Sequence, residues 1–211
     1  MQIAIVLFDS FTALDAVGPY QVLDHVPGAT AVFVAEQAGP VTDDHGNLTL
    51  TATRSLDEVP RPEIVLVPGG PGQTQQMDNP VLLQWLRTAD ATSTWTTSVC
   101  TGSLLLAAAG LLEGRKATSH WLALDSLRTF GVEPTAERVV TDGKYVTAAG
   151  VSAGIDMGLT LLGRIAGDEV AQTVQLLTEY DPQPPYDAGS PDKAPAEIVA
   201  RWRARNRFAL R

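Results

Sequence analysis

The chain contains one cysteine, and it stands in the surroundings of a reactive thiol, Ser98-Val99-Cys100-Thr101-Gly102. A strand-like segment at residues 95–99 before it and small residues after it suit a buried strand that turns sharply into a helix, a nucleophile elbow. The turn demands small neighbours. Ser98 and Gly102 meet that demand, with serine standing where such elbows usually carry glycine. A thiol at a helix N-terminus gains from the backbone dipole, which lowers its pKa and raises the thiolate fraction. The amide of Thr101 would point where negative charge develops. The other reading is a buried structural cysteine, because free Cys packs as a small hydrophobe.

Two glycines and a carboxyl could complete such a site. Gly69 and Gly70 lie in Pro68-Gly69-Gly70-Pro71-Gly72, directly after an apolar run. Glycines at a strand end let backbone N–H groups approach a substrate as oxyanion donors; an ordinary turn is the alternative. Asp15, in Leu14-Asp15-Ala16-Val17-Gly18-Pro19, is either a general acid or base for the thiol or a helix N-cap. Of three histidines, His120 in Ala117-Thr118-Ser119-His120-Trp121 is the best placed, as partner of the cysteine or packed beside it. Trp121 would line the pocket or join the core. His25 and His45 read as surface loop residues. No cluster of His, Cys, Asp and Glu has metal-ligand spacing, so no metal is expected. Residues 68–72 lack the lysine of a P-loop and no G-x-G-x-x-G follows a strand, so no nucleotide cofactor is expected either.

The elements that must position these residues follow from apolar patterning. Residues 3–8, 31–35 and 64–67 are short apolar runs, as in strands buried on both faces of a parallel sheet, and residues 95–99 form a further strand ending at Cys100. Residues 41–53 suggest a small hairpin turning at His45-Gly46-Asn47. Further strands are expected at 116–118, 138–140 and 145–148. Helical patterns cover 15–26, 81–91, 101–112, 122–130, 151–166 and 169–179, and a last helix begins near Pro195. Strands alternating with helices predict an α/β, flavodoxin-like, doubly wound and mostly parallel sheet with helices on both faces. Ligands of such sheets sit beyond the carboxyl ends of the strands, which selects the loops after Phe8, Val67 and Val99.

Length and composition bound the rest. The 211 residues, 45% of them hydrophobic, suit one domain spanning 1–211, with 182–211 as a tail and helix packing on that domain or on a dimer partner. One cysteine permits no intramolecular disulfide, which suits a reducing cytoplasm. No run approaches the roughly 18 apolar residues of a membrane span, and residues 1–9 lack a basic signal-peptide region. The net charge of −9 argues against nucleic acid as a partner. Six cations and three acids in the tail leave it at +3 and the remainder at −12.

Taken together, these segments resemble the ThiJ/PfpI superfamily, the class I glutamine amidotransferase-like proteins. The resemblance is carried by the 3–8 strand, Leu14-Asp15 with Gly18-Pro19, Val67-Pro68-Gly69-Gly70, Val99-Cys100-Thr101-Gly102, Ala117-Thr118 with His120-Trp121, and Ala153-Gly154-Ile155-Asp156. Three details are similar to the isonitrile hydratase branch: aspartate at 15 where the deglycase branch has glutamate, threonine after the cysteine, and the tail Tyr180-Asp181-Pro182 with Pro184-Pro185-Tyr186-Asp187 and Gly189-Ser190-Pro191. The resemblance implies Cys100 as nucleophile, Asp15 as acid/base, Thr101 as a supporting hydroxyl, a small-molecule substrate and a homodimer. Threonine at 101, where PfpI-type proteases carry histidine, speaks against peptidase activity.

Three functions are compatible with these residues. The first is a lyase that hydrates an isonitrile through a cysteine thioimidate. The second is a glyoxalase or deglycase acting on small α-oxoaldehydes through a hemithioacetal. The third is a non-catalytic ligand or redox sensor whose Cys100 oxidises reversibly. In that last case Trp202 and Phe208, set among Arg201, Arg203, Arg205 and Arg207, would form a partner surface.

Overall fold

Apolar side chains on both faces make the central strands, and the chain returns to them by helices. In a computed structural model that describes residues 1–205, the strand Gln2–Val6 (β1) leads into the helix Ala13–Leu23 (α1). Thr30–Ala35 (β2) follows. A hairpin of Gly39–Thr42 (β3) and Thr49–Ala52 (β4) comes next, then the two-residue strand Arg54–Ser55 (β5). Ile64–Val67 (β6) runs into the short helix Gln73–Gln76 (α2) and then Pro80–Asp90 (α3), which Asn79 caps through its side chain. Trp95–Val99 (β7) turns into Gly102–Ala108 (α4). Lys116–Ala117 (β8), Glu133–Pro134 (β9), Val139–Asp142 (β10) and Tyr145–Ala148 (β11) come next. The helices Ala153–Ala166 (α5), Asp168–Leu177 (α6) and Ala196–Ala204 (α7) end the described chain. Arg207 and Phe208, part of the expected partner surface, lie outside the described residues.

Seven strands form the main sheet in the order β10-β11-β7-β6-β1-β2-β5, parallel except where β10 pairs antiparallel with β11. The flavodoxin-like α/β reading therefore holds. Helices α1 and α5 pack together against the sheet, while α4 packs against β6 and β7 with α2 and α3 beside it. The register sets Val67 opposite Ser98 and Val99 opposite Ala148, so the chain leaves β6, β7 and β11 side by side. That common edge is where the functional residues meet. No helix among the described residues is long and apolar enough to cross a membrane.

Local chemistry explains where the structure departs from expectation. The segment after Cys100 is helical only to Ala108, because Gly110 adopts a φ of +81° and ends the turn. The expected strand at 116–118 pairs outside the main sheet, with Glu133–Pro134, and the proline nitrogen cannot extend that ladder. Residues 124–130 wind as a 3₁₀ helix instead of an α-helix. The tail is irregular between α6 and α7. Its start is tied to α5 by the Tyr180 hydroxyl, which donates to Asp156 Oδ1 at 3.0 Å.

Candidate active site

Cys100 occupies the turn between β7 and α4 with a φ of +58°, a left-handed conformation rare for a side-chain-bearing residue. Its amide donates to the carbonyls of Ala148 and Ala149 at 3.1 and 3.0 Å, and the hydroxyls of Ser103 and Ser119 reach its carbonyl at 3.3 and 3.0 Å. The small neighbours are a steric requirement. A Cβ at Gly102 would stand 2.1 Å from the Val67 carbonyl oxygen, and one at Gly69 would stand 2.5 Å from the Thr101 nitrogen. Ser98, two residues before the cysteine, is fully buried, and its hydroxyl has no partner among the described residues.

The thiol has no exposed surface. The Asp15 side chain hydrogen-bonds it, and the backbone amides of Thr101 and Val151 donate to the sulfur. Burial is the largest influence and pushes the thiol pKa well above the ordinary value of 9.0. The nearby Asp15 carboxylate pushes the same way, and together they outweigh the two amides. The lowering expected from the helix terminus is thus present but outmatched. Cys100 and Asp15 form a buried, hydrogen-bonded pair.

Asp15 is not a helix cap. The cap position of α1 is Thr12, and Asp15 lies in the first turn, fully buried, where the Gly69 amide donates to its Oδ2 at 2.9 Å. The Thr12 amide donates to the Gly69 carbonyl at 2.8 Å, which fastens the start of α1 to the loop after β6. The Gly70 amide donates to Thr101 Oγ1 at 3.0 Å. In this structure, then, the amides of Gly69 and Gly70 hold Asp15 and Thr101, and the amides aimed at the sulfur belong to Thr101 and Val151. Val151 is the residue that sequence reasoning missed. It is β-branched yet has a φ of +34°, and nothing in its side chain announces that backbone.

His120 follows Ser119, whose hydroxyl donates to the Cys100 carbonyl, and its ring lies 6.0 Å from that of Trp121. The Leu122 amide donates to His120 Nδ1 at 3.2 Å. Both rings line a cavity of about 500 Å³ whose other walls include Ile198 and Trp202 of α7 and, at the rim, the exposed His45. Neither the tail segment nor His45 stood out in the sequence as part of a site. No three His, Cys, Asp or Glu side chains come together as a metal site among the described residues.

The sharp turn at Cys100, the loop after β6 and the carboxyl from α1 meet within the segment matched by one family profile, DJ-1/PfpI, over residues 1–164. The chain belongs to the DJ-1/PfpI family. Among its relatives is an isonitrile hydratase of Pseudomonas putida, 44% identical over 213 residues, covering 100% of this chain and 93% of the relative. The HTH-type transcriptional regulator CdhR of Pseudomonas aeruginosa is 32% identical over 143 residues, 67% of this chain but 42% of the regulator. The crystal structure of a ThiJ/PfpI family protein from Pseudomonas syringae superposes with a TM-score of 0.94 at 38% identity, covering 96% of this chain and 84% of that one. Regulators and a deglycase are also among its relatives, so the reaction must be argued from the site.

Proposed function

We propose that this DJ-1/PfpI protein is an isonitrile hydratase, converting R–N≡C and water to the formamide R–NH–CHO. The observation that carries this reading is the Asp15 carboxyl hydrogen-bonded to the buried Cys100 thiol. Its support is full-length similarity to an isonitrile hydratase. A carboxyl hydrogen-bonded to a thiol suits a substrate that must gain a nucleophile and a proton at one carbon.

Cys100 sulfur adds to the terminal carbon of the isonitrile while the proton of the pair passes through Asp15 to that same carbon. The product is the thioimidate R–N=CH–S–Cys100. The Asp15 carboxylate then takes a proton from water as its oxygen adds to the carbon, and returns it to nitrogen. Collapse of R–NH–CH(OH)–S–Cys100 expels the sulfur, releases the formamide and restores the thiol proton. Covalent catalysis divides one difficult addition into two easier ones. The amides of Thr101 and Val151 stabilise the departing thiolate. The Thr101 hydroxyl holds Gly70, and Gly69 holds Asp15, so these residues set the geometry of the pair. The reading extends to a homodimer in a reducing cytoplasm; the exposed apolar side chains Leu176, Leu177 and Tyr186 support the former, and a catalytic thiol the latter.

Purified protein incubated with cyclohexyl isocyanide should yield N-cyclohexylformamide, read by chromatography, and the Cys100→Ser variant should yield none. Equal product from both proteins would remove Cys100 from the reaction. Consumption of methylglyoxal without isonitrile turnover would favour the glyoxalase reading instead.

A further inference from the structure

Two backbone amides reach the Cys100 sulfur, and they are held in different ways. That of Thr101 belongs to the turn itself. That of Val151 comes from the segment between β11 and α5, where a β-branched residue stands at a φ of +34°. Such a backbone is unfavourable for a side chain of this shape and persists only where its surroundings fix it. We infer that Arg138 is the residue that fixes it: its carbonyl and its guanidinium together grip residues 149–152 and keep the Val151 amide on the sulfur. The inference rests on Cys100 as the nucleophile of the hydratase reading and adds to it a positioning residue that does not touch the thiol.

Three observations carry it. Arg138 directly precedes β10, and its carbonyl accepts from the Ala149 amide at 2.9 Å, just past the last β10–β11 pair, Val139 with Ala148. Ala149 in turn gives its carbonyl to the Cys100 amide at 3.0 Å, so the segment is fastened before it reaches Val151. On the far side of Val151 stands Ser152, the cap residue of α5. A serine there ordinarily accepts from the first free amides of the helix. The Ser152 hydroxyl does not; it accepts from Arg138 Nη2 at 3.2 Å. Third, Arg138 Nε donates to Asp156 Oδ2 in the first turn of α5, and the other oxygen of that carboxylate accepts from the Tyr180 hydroxyl at 3.0 Å. The planar guanidinium thus spans Ser152 and Asp156 through two different nitrogens.

Stability alone does not account for this arrangement. The Arg138 and Asp156 side chains are 51% and 30% exposed, and ion pairs so open to water add little to folding. What the grip secures is direction, a donor aimed at a sulfur that gains and loses negative charge during the reaction.

The test is Arg138→Met, which keeps a long side chain and removes its donors. Hydrogen exchange of the Val151 amide, followed by nuclear magnetic resonance, should quicken about tenfold while the amides of β7 keep their wild-type rates. With cyclohexyl isocyanide, kcat should fall about tenfold at unchanged KM, because the donor acts on the departing sulfur and not on the bound substrate. Exchange at Val151 that stays at the wild-type rate overturns the inference, and so does faster exchange with kcat unchanged. A wild type that turns over no isonitrile overturns the hydratase reading alone, and the exchange rates then decide the grip. Arg138 is half-exposed, so the variant should keep the wild-type Tm. If it does not fold, Ser152→Ala removes the acceptor alone and decides in the same terms: quickened exchange at Val151 supports the grip, and an unmoved rate overturns it.

Discussion

Asp15 acts on Cys100 in two ways, by charge and by hydrogen bond, and both raise the thiol pKa. In Asp15→Asn the thiolate absorbance should therefore appear at lower pH than in the wild type, while formamide production is lost because no proton can be delivered. The amide oxygen of asparagine still accepts from Gly69, so the variant should fold. An unmoved thiol titration would mean that the carboxyl does not govern the sulfur. The raised thiol also sets a dependence of stability on pH. The folded state keeps its proton above 9.0, where the unfolded thiol loses it. Wild-type stability is thus complete below that pH and declines above it, more steeply than in Cys100→Ser, as denaturation midpoints across alkaline pH would record. Ser98 gives a third expectation. Its buried hydroxyl lacks a partner among the described residues, so Ser98→Ala should be neutral or should stabilise by about 1 kcal/mol in urea unfolding.

Asp15 lies in the first turn of α1 and Val151 in the turn that leads into α5, and the close approach of these two helices depends on missing side chains. A Cβ at Gly158 would stand 3.0 Å from Val22 Cβ, so Gly158→Val forces the helices apart and should cost about 2 kcal/mol of stability, read by denaturant unfolding. Unchanged stability would mean that the pair can separate without loss. At this scale the sequence was legible where a physical demand shows in residue type. The apolar run at 64–67 announces a buried strand, and the small residues around Cys100 announce a tight turn. Asp15 was legible as a candidate, but its meeting with Cys100 needs β6, β7 and α1 in register, which no local pattern encodes. Val151 was invisible because a β-branched residue ordinarily avoids positive φ. The tail was expected to pack on the domain or on a dimer partner, but nothing in its residue types marked Ile198 and Trp202 as walls of a cavity.

Stability and chemistry occupy opposite ends of the molecule. At the amino ends of β7 and β11, far from the turn, Asp90 accepts from the hydroxyls of Thr96 at 2.7 Å and Tyr145 at 3.0 Å, and Lys144 Nζ lies 3.1 Å from its Oδ1. Burial and the Asp90 charge push the Tyr145 pKa up to about 12. Asp90→Ala strands these partners and should destabilise the protein by about 2 kcal/mol, with activity per folded molecule unchanged. A matching fall in specific activity would show that the two ends are coupled. The zero exposure of Cys100 has one more consequence, for anyone who handles the protein. Iodoacetamide can alkylate this sulfur only during moments when the surrounding loops part, so its labelling rate should rise with reagent concentration and then level off. The plateau is the frequency of that parting, measured by the one sulfhydryl the chain possesses.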